Sequence, residues 1–153
     1  MMKTINVPNE ILIPKLKELL NQGLNVTIRV RGWSMRIFLD NNRDLVMLAP
    51  PQPDQLKRWD LVLAEVAPQQ FVLHRIIKKN NNQLVLKGDG NVNGIERCDV
   101  NDVIGVATAF YRKGRQTPDY VTGWKWKYYS KLWMLLTPFR RIILGIYNRI
   151  YKR

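Results

Sequence analysis

From Leu24 to Arg31 apolar and polar side chains alternate, with Leu24, Val26, Ile28 and Val30 on one face and Asn25, Thr27, Arg29 and Arg31 on the other. A period of two is that of a half-buried strand. Shorter apolar runs at 44–48, 60–66, 71–77, 83–87 and 103–111 predict further strands. The breakers between them are the stiff Pro50, Pro51, Pro53 connection, Ala67-Pro68-Gln69-Gln70, a hairpin tip at Asn80-Asn81-Asn82, and the turn-rich loop Lys87-Gly88-Asp89-Gly90-Asn91. Ahead of the strands, residues 9–22 read as a short helix, with Leu12, Leu16, Leu19 and Leu20 on one face and Gly23 placed to end it. Pro14 fits such a helix only in its first turn. Many short strands in succession predict a mainly β domain, curled or barrel-like.

At Trp124 the period becomes helical. Trp126, Tyr129, Trp133 and Leu136 fall near one face, Thr137-Pro138 restarts the helix, and Phe139, Ile142, Ile143, Ile146 and Ile150 then gather opposite Arg141, Asn148, Arg149 and Lys152. Residues 1–23, 24–121 and 122–153 therefore read as an amino-terminal helix, a β domain, and a basic amphipathic helical tail separable from that domain.

Charge sharpens the reading of the tail. The 153-residue chain has 25 basic and 12 acidic residues, a net +13. All the acids lie at or before Asp119, so residues 1–121 carry +5 and the tail carries +8 with no acid. A basic face beside one rich in Trp and Ile predicts a helix lying in an anionic membrane interface. Packing of the apolar face on the β domain, or on a second copy, is the alternative. Nucleic acid is not an expected partner, since phosphate binding does not need so much apolar surface.

Cys98 is the only cysteine, which excludes an internal disulfide and a cysteine-rich zinc cluster. No cofactor or metal is expected. Met1 to Asn6 lack the apolar core of a signal peptide, and no run of about 18 uncharged apolar residues exists. The expectation is a cytoplasmic protein, peripheral to a membrane.

Three residues are candidates for chemistry. Ser34 follows Gly32 at the end of the first strand, where it is either a displayed nucleophile or a turn serine bonded to its own backbone. His74, the only histidine, shares a strand face with Val72 and Ile76. It is either structural or the base that a serine hydroxyl needs, imidazole being the side chain that exchanges protons near neutral pH. Asp89, in a loop of small residues, is either a turn aspartate or the group that orients such an imidazole.

Together these residues carry a resemblance. Arg29-Val30-Arg31-Gly32-Trp33-Ser34-Met35 followed by Asp44-Leu45-Val46 resembles the nucleophile box of the LexA-like and type I signal peptidase-like serine peptidases. Leu56 to Leu63 resembles the next box, Val72-Leu73-His74-Arg75-Ile76-Ile77 the strand of the general base, Lys87-Gly88-Asp89-Gly90-Asn91 the Lys-Gly-Asp-x-Asn box, and Val103 to Ala107 the closing strand. The likeness covers about residues 24 to 115. It implies a mainly β fold and cleavage of a peptide or protein substrate by an activated serine. Histidine followed by arginine resembles the endoplasmic-reticulum-type and archaeal branch, which implies Ser34 as nucleophile, His74 as base and Asp89 as its support. Gly32, Trp33 and Met35, flanking the serine, are the expected substrate contacts.

The chain also departs from the pattern. Ile37 stands at a common proline, and Arg43 and Trp59 replace the glycines of two Gly-Asp boxes. The branch's second aspartate falls at Ile95, with Glu96 and Asp99 near but unmatched and expected to matter little. The membrane anchor of signal peptidases and the helix-turn-helix of LexA-like repressors are not matched, which speaks against a self-cleaving repressor. The expected function is a small Ser–His peptidase acting in trans. The rivals are a peptide-binding module without turnover and a membrane-surface adaptor.

Overall fold

The computed structural model describes residues 7–151. Met1 to Asn6, read above for a leader, and Lys152 and Arg153, counted in the tail's charge, lie outside the described residues. Helix α1 (Asn9–Asn21) starts on the carbonyl of Pro8, which accepts from the N–H groups of Ile11 and Leu12. Pro14 lies inside the helix, a turn deeper than expected. Its buried face is Ile13, Leu16 and Leu20.

Eight strands follow: β1 (Val26–Arg29), β2 (Leu45–Ala49), β3 (Leu61–Ala67), β4 (Gln70–Asn80), β5 (Gln83–Lys87), β6 (Glu96–Asp99), β7 (Val103–Tyr111) and β8 (Asp119–Tyr120). They form one antiparallel sheet in the order β1-β2-β7-β3-β4-β5-β6, with β8 paired to β7. The expected curled or barrel-like domain is not what forms. The sheet is not curled, β1 and β6 end the order, and helices at both ends of the chain make the fold mixed α/β. Alternation reports that a strand is half-buried; whether the ladder closes depends on pairings between distant segments, which a local period does not encode.

The middle strands bury both faces. Leu61 and Leu63 of β3 point into one cluster, with Leu16, Leu20, Val46 and Phe110; Val62 and Ala64 point into another, with Ile76, Leu84, Leu86 and Cys98. On β4 the same alternation puts Leu73 and Arg75 towards the first cluster and Val72, His74 and Ile76 towards the second. His74 and Arg75 are therefore adjacent in sequence but face opposite sides of the sheet.

The tail forms α2 (Trp124–Leu135), a short turn of 3-10 helix (Thr137–Phe139) and α3 (Arg140–Ile150). Helix α2 is not the separable, lipid-facing element expected from the sequence. Trp126 is only 5 % exposed and belongs to the first cluster, its ring 4.7 Å from that of Phe110 and 5.0 Å from that of Phe38. The face read as Trp126, Tyr129 and Trp133 is present, but it packs on the β domain. Large aromatics dominate core energetics, so removing α2 would open the core. Helix α3 turns Arg140 and Leu144 inward and leaves Ile142, Ile146 and Ile150 exposed. Among the described residues no helix is long and apolar enough to cross a membrane.

Candidate active site

Ser34 stands in the loop that leaves β1 and returns as β2. The loop is closed at its neck, where Val30 N–H donates to the Asp44 carbonyl at 2.9 Å and Asn42 N–H to the Val30 carbonyl at 2.8 Å. Gly32, at φ +83°, takes the left-handed angle its position requires and donates to Asn41 Oδ1 at 2.9 Å. Asp44, fully buried, accepts from the Arg43 guanidinium and from the N–H groups of Asp40 and Lys113. Burial pushes its carboxyl up, but these hydrogen bonds outweigh it and the carboxyl ends below its ordinary value. Phe38 and Leu39 anchor the loop in the core. So does Met35, expected to contact substrate but only 2 % exposed, its sulfur accepting from Asp89 N–H. Trp33 is partly exposed, with the Arg36 guanidinium 3.7 Å from its ring centroid.

The loop after β5 is pressed against this backbone. Gly90 N–H donates to the Ser34 carbonyl at 2.7 Å. A Cβ on Gly88 would lie 2.5 Å from the Ser34 carbonyl oxygen, 2.9 Å from Asn91 Nδ2 and 3.0 Å from His74 Nε2, and one on Gly90 would collide with the Trp33 carbonyl. The two glycines of Lys-Gly-Asp-Gly-Asn are thus needed for close approach. The bare Gly88 position separates the Ser34 backbone from the His74 ring, so the structure brings these two candidates together.

His74 is 4 % exposed, and its Nδ1 lies 2.7 Å from Glu96 Oε2. An ionised carboxylate only accepts, so Nδ1–H donates to Glu96, and in the neutral ring this leaves the Nε2 lone pair on the Gly88 side. That is the tautomer a general base requires. Glu96 opens β6 and pairs across the ladder with Leu86, which puts it on the same sheet face as His74. No hydrogen bond joins the Ser34 hydroxyl to the His74 ring, whose bond is to Glu96.

Asp89 is placed differently from its expected role. Its carboxylate takes a two-pronged grip from Arg75, Nε to Oδ1 at 2.8 Å and Nη2 to Oδ2 at 2.7 Å, with both residues fully buried. Tyr129 Oη–H donates to Oδ2 at 2.9 Å, and Trp133 Nε1–H to the Asp89 carbonyl at 3.1 Å. Arg75 also donates to Ser130 Oγ at 2.7 Å and to the Trp59 carbonyl at 3.4 Å, and it lies 4.4 Å from the Trp126 ring. Burial pulls the guanidinium down, but the Asp89 charge and hydrogen bonds more than offset this and raise it. Burial, then the Asp89 charge, pushes the Tyr129 hydroxyl well up. The strand's alternation is the cause: Asp89 reaches the face occupied by Arg75, and a buried guanidinium without a carboxylate is costly. His74 draws its partner from the other face.

Sequence reasoning therefore missed Glu96 as the histidine's partner and missed the lock on the buried pair, in which Tyr129 and Trp133 bond Asp89 and Ser130 bonds Arg75. An acid on the His74 face of a predicted strand would have been the signal, but Glu96-Arg97-Cys98-Asp99 has too little apolar character to read as one. The Ser34 loop also borders a pocket of about 310 Å³ lined by Trp33, Arg36, Asp40, Arg43, Arg112 and Tyr147 among others, though not by Ser34 itself. Cys98 is buried, and burial pushes its thiol up to about 11, so it is a protonated core residue at neutral pH. Among the described residues no group of three His, Cys, Asp or Glu is placed to hold a metal ion. In comparisons with known proteins, no family model and no curated sequence matches the chain.

Proposed function

We propose that the chain is a serine peptidase, with Ser34 as nucleophile, His74 as general base and Glu96 as the residue that orients the imidazole and stabilises the imidazolium formed in the reaction. One observation carries the reading: the Ser34 backbone and His74 Nε2 border the same bare Gly88 position, while Nδ1 is engaged by a carboxylate. The resemblance to LexA-like and signal peptidase-like enzymes supports it over residues 24 to 115, with Glu96 taking the part that the resemblance gave to Asp89. Trp59, standing at one of the pattern's glycines, holds φ +80°, the left-handed angle a glycine takes without strain.

In the reaction, Ser34 Oγ attacks the scissile carbonyl carbon and its proton passes to His74 Nε2. The imidazolium gains stabilisation from Glu96 and hands the proton to the departing amine, leaving an acyl ester on Ser34. Water, deprotonated by the same nitrogen, releases the acid and restores the serine. The substrate is a peptide or protein acted on in trans.

A peptide-binding module without turnover is the second reading, favoured by the lack of a hydrogen bond between the Ser34 hydroxyl and the ring. Catalytic hydrogen bonds are often loose without substrate and tighten on binding. Incubation with a diverse peptide library, read by mass spectrometry, separates the two. The peptidase yields cleavage products that disappear with Ser34→Ala; peptides retained intact by both proteins would leave the binding module.

A further inference from the structure

We infer that the outward faces of α2 and α3 form a docking surface for an anionic lipid bilayer. Both helices are apolar on two sides. The inward side is satisfied, Trp126 and Trp133 being buried on α2 and Leu144 on α3. The outward side carries Tyr128, Leu132 and Leu135 at spacings of four and three, then Ile142, Ile146 and Ile150 at spacings of four, all between 40 and 75 % exposed. Helical spacing gathers each set on one face. Large apolar side chains exposed in such a row mark an interaction surface.

Charge decides the occupant. Lys127, Lys131, Arg141 and Arg149 are exposed on the same two helices, and the tail after Asp119 contains no acid. A second copy docked about a two-fold axis would set this patch against itself and bring those cations together. An anionic bilayer attracts every one of them while its interface accepts the isoleucines. The face differs from the one the sequence suggested for α2, since Trp126 and Tyr129 are committed to the core.

Docking also fixes where the site lies. Asn148 Oδ1 on α3 accepts from Arg36 Nη1 at 2.5 Å, and Arg36 is two residues beyond Ser34. The Ser34 loop is thereby held beside the docked helix, and the substrate class becomes a peptide presented at a membrane surface. That last step rests on the peptidase reading; the docking does not.

The test is co-sedimentation of the full chain with vesicles of phosphatidylcholine containing about one third phosphatidylserine, and with phosphatidylcholine alone. Binding is expected on the anionic vesicles, at least tenfold weaker on the neutral ones, and unchanged by Ser34→Ala. Ile142→Ser combined with Ile146→Ser and Ile150→Ser should reduce it at least tenfold. Each of Lys127→Gln, Lys131→Gln, Arg141→Gln and Arg149→Gln should reduce it about fivefold. These side chains are exposed, so the melting curve of every variant should match the parent. Equal binding by the triple serine variant, absence of binding to anionic vesicles, or a parent dimer that the triple variant turns into a monomer without lipid would each overturn the docking surface. Vesicle binding by a protein that cleaves no peptide would instead preserve the docking and remove the peptidase.

Discussion

Asp89→Asn is expected to damage the fold before it damages any chemistry. Asparagine keeps the shape of aspartate but removes the carboxylate that grips the buried Arg75 guanidinium. In either orientation its amide nitrogen would also meet an Arg75 N–H donor, and in one of them the Tyr129 hydroxyl as well. Breaking a buried ion pair from one side costs about 3–5 kcal/mol. The lower end applies, because Arg75 keeps Ser130 Oγ, the Trp59 carbonyl and the Trp126 ring. For a chain of this size each kcal/mol lowers Tm by about 2–4 °C, so a loss of about 3 kcal/mol means a fall of roughly 6–12 °C. Urea titration followed by tryptophan fluorescence should show a lower midpoint at an unchanged slope. A mutant melting within about 2 °C of the parent, with the parent's urea midpoint, would refute the reasoning and return Asp89 to an ordinary turn position. The supporting role that the resemblance implied for Asp89 would instead predict an intact fold with lost activity.

Glu96→Gln should leave the melt nearly unchanged, because the side chain is partly exposed, yet lower turnover by on the order of a hundredfold or more, since an amide cannot stabilise the imidazolium; steady-state cleavage of a substrate found in the library screen measures it. Gly88→Ala should abolish activity and cost about 1–3 kcal/mol, because its Cβ would stand 2.5 Å from the Ser34 carbonyl oxygen, a loss read by the same melts. Cys98, with its thiol pushed up to about 11 by burial, should resist iodoacetamide at pH 8 in the native protein and react fully in urea, as followed by intact mass.

Much of the sheet was legible because its strands carry their burial pattern locally: 24–31 alternates, and the runs at 60–66 and 103–111 sit on strands buried on both sides. Strands β6 and β8 were not legible. Glu96-Arg97-Cys98-Asp99 and Asp119-Tyr120 are strands because β5 and β7 offer them partners, and segments of four and two residues with so little apolar character do not say so. At the proposed site, Ser34 and His74 stand out from residue type and place, but the carboxylate bonded to the His74 ring does not. Choosing between Asp89 and Glu96 requires knowing that β4 is buried on both faces and that Arg75 claims one of them. The tail shows the same limit. Periodicity located the Trp126, Tyr129, Trp133 face correctly, but amphipathicity says that a face is buried, not whether protein or lipid buries it.

The central claim, that His74 activates Ser34, is tested most directly by a fluorophosphonate probe read by intact-protein and peptide mass spectrometry. The account predicts a single adduct on Ser34 of the parent protein, absent in Ser34→Ala and reduced at least a hundredfold in a His74→Ala protein whose melt confirms that it is folded. A folded parent protein that takes no label, or a folded His74→Ala protein labelled as fast as the parent, would contradict it.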